Sequence, residues 1–88
     1  MIEFTQYMLP DGRRKQITMD VPDEIQTKYD DLRENGYHFD AEILTTGIVS
    51  FTCERGDELL GIELSENGPN VVMAVRDLII KSHASIAA

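Results

Sequence analysis

Eighty-eight residues carrying sixteen acids against eight bases have a net charge of −8. That length fits a single domain, 1–88, and the charge repels nucleic-acid phosphates, whose recognition needs clustered Lys and Arg. With 42% hydrophobic and 27% charged residues, the chain has the composition of an ordered globular domain, not of a disordered one.

Met1 to Leu9 reads as a strand. Ile2, Phe4 and Met8 share one face, with Gln6 as the exception, and Glu3, Thr5 and Tyr7 share the other. Pro10-Asp11-Gly12 is a hairpin-type turn signal. A second strand follows from about Lys15 to Val21, with Ile17, Met19 and Val21 on its apolar face. Pro22 opens a helix, because proline is tolerated in a first turn. Asp23 and Glu24 suit the positive end of the helix dipole. Ile25, Tyr29 and Leu32 form one apolar stripe, and Asn35-Gly36 is the stop.

Tyr37 to Thr45 alternates as a third strand, with Tyr37, Phe39, Ala41 and Ile43 inward and His38, Asp40 and Glu42 outward. After a turn at Thr46-Gly47, Ile48 to Arg55 places Val49, Phe51 and Cys53 inward. After Gly56-Asp57, Glu58 to Ser65 places Leu60, Ile62 and Leu64 inward. Glu66-Asn67-Gly68-Pro69 ends the sheet, and a last helix runs from about Pro69 to Ser82. It is apolar nearly all round, which in a small domain predicts self-association through Val71, Met73, Ala74 and Ile80.

A right-handed crossover through the first helix makes the second and third strands parallel. The resulting expectation is an α+β domain of order ββαβββα: a five-stranded antiparallel sheet with both helices packed on one face. The other face would stand in water and carry Glu3, Asp20, Asp40, Glu42, Glu54 and Glu63 with no Lys or Arg among them. Such a face suits a protein partner with a basic surface. Its ordinary use is solubility alone.

A second reading gathers His38, Asp40, Glu42 and Glu54 into a metal or small-ligand site, which could belong to an enzyme. Neighbours two apart on a strand stand nearly 7 Å apart, so two of them could chelate one ion and a third would strain. Zinc sites favour several His or Cys, and this chain is poor in both, so no metal and no cofactor is assigned. A third reading is a structural subunit held by the last helix. Nucleophile elbow, P-loop, dinucleotide fingerprint, H-E-x-x-H and paired C-x-x-C are all missing, so an enzyme is not expected. Arg55-Gly56-Asp57 falls where a hairpin turn needs Gly and Asp. His83 reads as a helix-terminal residue. Cys53, on an apolar strand face with no internal disulfide partner, reads as a buried, inert thiol in a reducing, cytoplasmic setting. Met1 to Leu9 lacks a basic leader, and no stretch reaches the roughly 18 apolar residues of a membrane span.

The phrases Tyr7-Met8-Leu9-Pro10-Asp11-Gly12-Arg13, Ile43-Leu44-Thr45-Thr46-Gly47 and Ser65-Glu66-Asn67-Gly68-Pro69 resemble stretches of small phage- and prophage-type proteins without an assigned activity. The resemblance covers most of the chain. Its motifs are turns, so it carries over no catalytic residue. It implies a context in which small acidic proteins act by binding and modulating a host protein.

Overall fold

The computed structural model describes residues 1–8, 13–44, 46–66 and 71–87, with the side chains of Phe4 and Met8 left undescribed. Its elements are β1 (Ile2–Met8), β2 (Arg13–Met19), α1 (Asp23–Glu34), β3 (His38–Ile43), β4 (Ile48–Arg55), β5 (Glu58–Glu66) and α2 (Val71–Ala87). The α+β class and the element order agree with the sequence pattern. The turns expected at Pro10-Asp11-Gly12 and Asn67-Gly68-Pro69 lie outside the described residues.

Local chemistry explains the limits of α1. The Pro22 carbonyl accepts the first helical bonds, from Ile25 N at 2.9 Å and Gln26 N at 3.0 Å. At the other end Gly36 has φ +89°, a left-handed conformation that favours glycine. Tyr37 N then donates to Leu32 O at 3.1 Å, and Gly36 N to Arg33 O at 3.0 Å. This is the Schellman pattern, with Tyr37 and Leu32 both buried as its apolar contact.

The sheet order is β2-β1-β3-β4-β5. It is mixed, which corrects the expected all-antiparallel arrangement: β1 runs parallel to β3, with Thr5 beside Asp40 and Tyr7 beside Glu42. The other pairings are antiparallel. Met19, the last residue of β2, stands opposite Ile2. β3 therefore starts at the same end of the sheet at which β2 finishes. So α1 carries the chain sideways over β1 and does not return it along the sheet. The right-handed rule concerns parallel strands, and β2 and β3 are not parallel.

Both helices pack on one face. The core joins Ile25, Tyr29 and Leu32 of α1, Val75, Leu78 and Ile79 of α2, and Ile2, Phe39, Ala41, Val49, Phe51 and Cys53 of the sheet. Burying these side chains is the main term holding the fold. Tyr29 packs on Phe39 with ring centroids 5.1 Å apart.

A second correction concerns β5. Gly61 pairs with Cys53, and Glu63 with Phe51, so both point to the helical side. Leu59 keeps the outward side that alternation gives it, opposite Glu54, but Ile62 and Leu64 pair with Thr52 and Ser50 and so lie on the open side as well. A register shift at Cys53/Glu54 inserts one extra residue on β5. One such residue exchanges the faces of everything beyond it. The choice fits the packing of α2, because a Cβ on Gly61 would lie 3.1 Å from Leu78 Cδ1 and 3.3 Å from Ser82 Oγ. With glycine there, α2 settles close against β5.

Candidate functional site

Nothing among the described residues covers the sheet face opposite the helices. Its side chains form three rows set by the strand register. The first is Gln16, Thr5, Asp40, Thr52 and Ile62; the second is Arg14, Tyr7, Glu42, Ser50 and Leu64. The third is Thr18 beside Glu3, then, beyond the point where β1 and β3 part, His38, Glu54 and Leu59. Directly opposed side chains in such ladders stand about 5 Å apart at Cβ.

Every row ends on an exposed apolar residue of β5. Leu59 is 50%, Ile62 46% and Leu64 63% exposed. Sequence periodicity placed Ile62 and Leu64 in the core, and only the bulge turns them outward. Beside this column, Glu3, Asp40, Glu42 and Glu54 make no ion pair among the described residues.

The parting of β1 and β3 makes a concavity of about 390 Å³, lined by Glu3, Tyr7, Tyr29, His38, Asp40 and Glu54 among others. Pairing of the two strands begins only at Thr5 and Asp40. Ahead of it the Tyr29 hydroxyl donates to Glu3 O at 2.8 Å and accepts from Glu3 N at 3.2 Å. It thus satisfies backbone groups that a longer β3 would otherwise take. A second hollow of about 270 Å³ adjoins, between Tyr7, Asp40, Glu42, Ser50, Thr52 and Glu54.

Of the acids expected on this face, Glu3, Asp40, Glu42 and Glu54 are brought together. Asp20 lies just past the end of β2 and is exposed. Glu63 is on the other face, with its Oε1 3.6 Å from Lys81 Nζ of α2. The face also holds a cation, contrary to the expectation of none: Arg14 sits over the Tyr7 ring, 5.8 Å from its centroid. Arg33 of α1 joins the lining of the concavity, donating to Tyr37 O at 3.0 Å and meeting His38 Nδ1 at 2.9 Å.

That last contact bears on the metal reading. A guanidinium only donates, so Nδ1 is the acceptor and the ring proton sits on Nε2. In this contact the Nδ1 lone pair is engaged with Arg33. No group of three or more His, Cys, Asp or Glu with metal-holding geometry occurs among the described residues.

The other singled-out residues have structural surroundings. Cys53 is fully buried. Burial pushes its thiol pKa up, the Ser82 hydroxyl pulls it down and Glu54 adds to the rise. Arg55 of the Arg55-Gly56-Asp57 turn stacks on Tyr37 at 4.5 Å and donates to Asn35 O at 2.9 Å and Glu58 Oε2 at 3.0 Å. Tyr37 OH donates to Glu58 Oε1 at 2.9 Å. This network ties the β4–β5 turn to the end of α1. Burial, and then the bond to Glu58, raise the Tyr37 pKa, against the pull of Arg55. His83 is not a loose helix end: its Nε2 lies 2.9 Å from Asp31 Oδ2, joining α2 to α1.

On α2, Met73 and Ile80 are exposed, and so is Val72, which the helical pattern with Val75, Leu78 and Ile79 puts on the core face. Val71 and Ala74 pack against the core instead, because α2 turns that side toward the sheet. No helix among the described residues is long and apolar enough to cross a membrane. No family model, curated protein or solved structure matches the chain significantly.

Proposed function

We propose that this protein is a non-enzymatic interaction module whose uncovered sheet face docks a protein surface carrying Lys or Arg beside apolar side chains. The observation that carries the reading is the adjacency of two unsatisfied surfaces. The Leu59, Ile62 and Leu64 column lies one strand away from Glu54 and two from Asp40 and Glu42. An interface of this kind has an apolar centre, which supplies affinity, and a charged flank, which supplies orientation and specificity. The concavity at Glu3, Asp40 and Glu54 would receive the long side chain of a partner cation. The net charge of −8 would steer such a partner in from a distance, an effect that salt screens.

The test uses a defined probe, an alternating Arg–Leu octapeptide, in an amide-resolved NMR titration, with an alternating Glu–Leu octapeptide as control. Shifts should cluster at Glu3, Asp40, Glu54, Leu59 and Ile62 and weaken as salt is raised. The control should leave them unmoved. Asp40→Lys with Glu54→Lys should cut affinity for the cationic peptide by about tenfold or more, in line with two lost charge contacts, and leave the fold intact. Shifts spread over the acidic surface of α1, or equal binding by the double variant, would refute the reading.

A further inference from the structure

The two edges of the sheet are guarded unequally. β2 opens with Arg13, Arg14 and Lys15, and charged side chains on an edge discourage strand addition. β5 is the opposite edge, nine residues long from Glu58 to Glu66. Its carboxylates stand apart, Glu58 and Glu66 at the two ends and Glu63 turned inward against Lys81, its bulge lies toward one end, and three apolar side chains are exposed between them. Long apolar edges are seldom left bare.

We infer that the occupant of the β5 edge is a second copy of this chain, paired antiparallel about a two-fold axis at Ile62. Antiparallel neighbours share a face, so the axis passes through a residue, and near the middle of β5 that residue is Gly61, Ile62 or Glu63. Centring on Glu63 would set two like carboxylates opposite each other. Centring on Gly61 would bring the bulged end of β5 into the middle of the ladder. Centring on Ile62 sets that residue beside its own copy and places Glu63 opposite Gly61 of the other chain.

The charge arrangement favours the same register. Lys81 lies across Gly61, with its Cδ 3.8 Å from where a Cβ would stand, and its ammonium reaches Glu63 of its own chain at 3.6 Å. Both side chains keep substantial exposure, 57% for Lys81 and 29% for Glu63. A second Glu63 arriving opposite Gly61 therefore meets Lys81, and the contact repeats by symmetry. The axis would be ringed by two ammonium groups and two carboxylates. Pairing also joins the two open faces into one sheet with both apolar columns at its centre, a consequence that does not depend on what docks there.

The experiment is sedimentation velocity across a concentration series on wild type, Glu63→Lys, Lys81→Glu and an equimolar mixture of the two variants, each checked for folding by circular dichroism. Wild type should sediment as a dimer of the 9.9 kDa chain at high concentration. Each variant should be monomeric, with four like charges at the axis. The mixture should recover the dimer, because two cations and two carboxylates meet again across the interface. A wild type that stays monomeric at the highest soluble concentration would overturn the proposal. So would variants that dimerise as well as wild type, or a mixture that fails to recover. A dimer abolished instead by Met73→Glu with Ile80→Glu would assign the contact to the outer stripe of α2 and overturn it as well.

Discussion

Replacing Tyr29 by Phe removes one oxygen and leaves the ring. The hydroxyl makes two hydrogen bonds to one residue, donating to Glu3 O at 2.8 Å and accepting from Glu3 N at 3.2 Å. The ring contact with Phe39 at 5.1 Å survives the change. An intramolecular hydrogen bond contributes about 1 kcal/mol net. Loss of both therefore costs up to about 2 kcal/mol, and water entering the adjoining concavity would bring this down toward about 1. For a domain of this size that lowers Tm by roughly 5–10 °C. Urea titration followed by circular dichroism measures the loss, and amide exchange by NMR locates it. The Glu3 amide should exchange far faster, whereas β4 and β5 amides should change only as much as global stability does. Unchanged stability together with a still-protected Glu3 amide would refute the assignment, and with it the account of how the β1–β3 gap is held open.

Gly61→Ala should destabilise the fold by about 1–2 kcal/mol through overpacking, since the new methyl would lie 3.1 Å from Leu78 Cδ1 and 3.3 Å from Ser82 Oγ. Adding Ser82→Ala should recover part of that loss in the same urea assay, and an additive double variant would contradict the shared contact. Stability should also fall in alkali. Cys53 and Tyr37 both hold their protons more tightly when folded than their ordinary values of 9.0 and 10.0 imply. Their contribution is therefore complete below those values and is lost as pH rises beyond them toward the folded pKa of each group. Melting temperature should be level through neutral pH and drop above about pH 9, with Cys53→Ala removing the earlier part of the drop. A drop that Cys53→Ala and Tyr37→Phe leave unchanged would assign it to other groups.

The sequence by itself determined the elements and most of their inward faces. Alternation at Phe39, Ala41, Val49, Phe51 and Cys53, and the stripe at Ile25, Tyr29 and Leu32, each reflect one element burying one side, and that is a local property. Asn35-Gly36 marked the end of α1 because a left-handed residue is a local need. Clustering of Asp40, Glu42 and Glu54 followed from the same alternation on adjacent strands. Three things were settled only by the tertiary structure. The direction of β3 beside β1 depends on how α1 crosses the sheet, and no short-range pattern encodes that. The facing of β5 depends on one extra residue in a ladder with β4. Read alone, Leu60, Ile62 and Leu64 alternate as core residues. The close seat of α2 on Gly61 instead favours turning that glycine inward, which puts Ile62 and Leu64 outward and Glu63 beside Lys81. The apolar half of the docking face and the β5 edge thus come from a packing choice between elements distant in sequence, where the free energy of the whole core outweighs the local pattern of one strand.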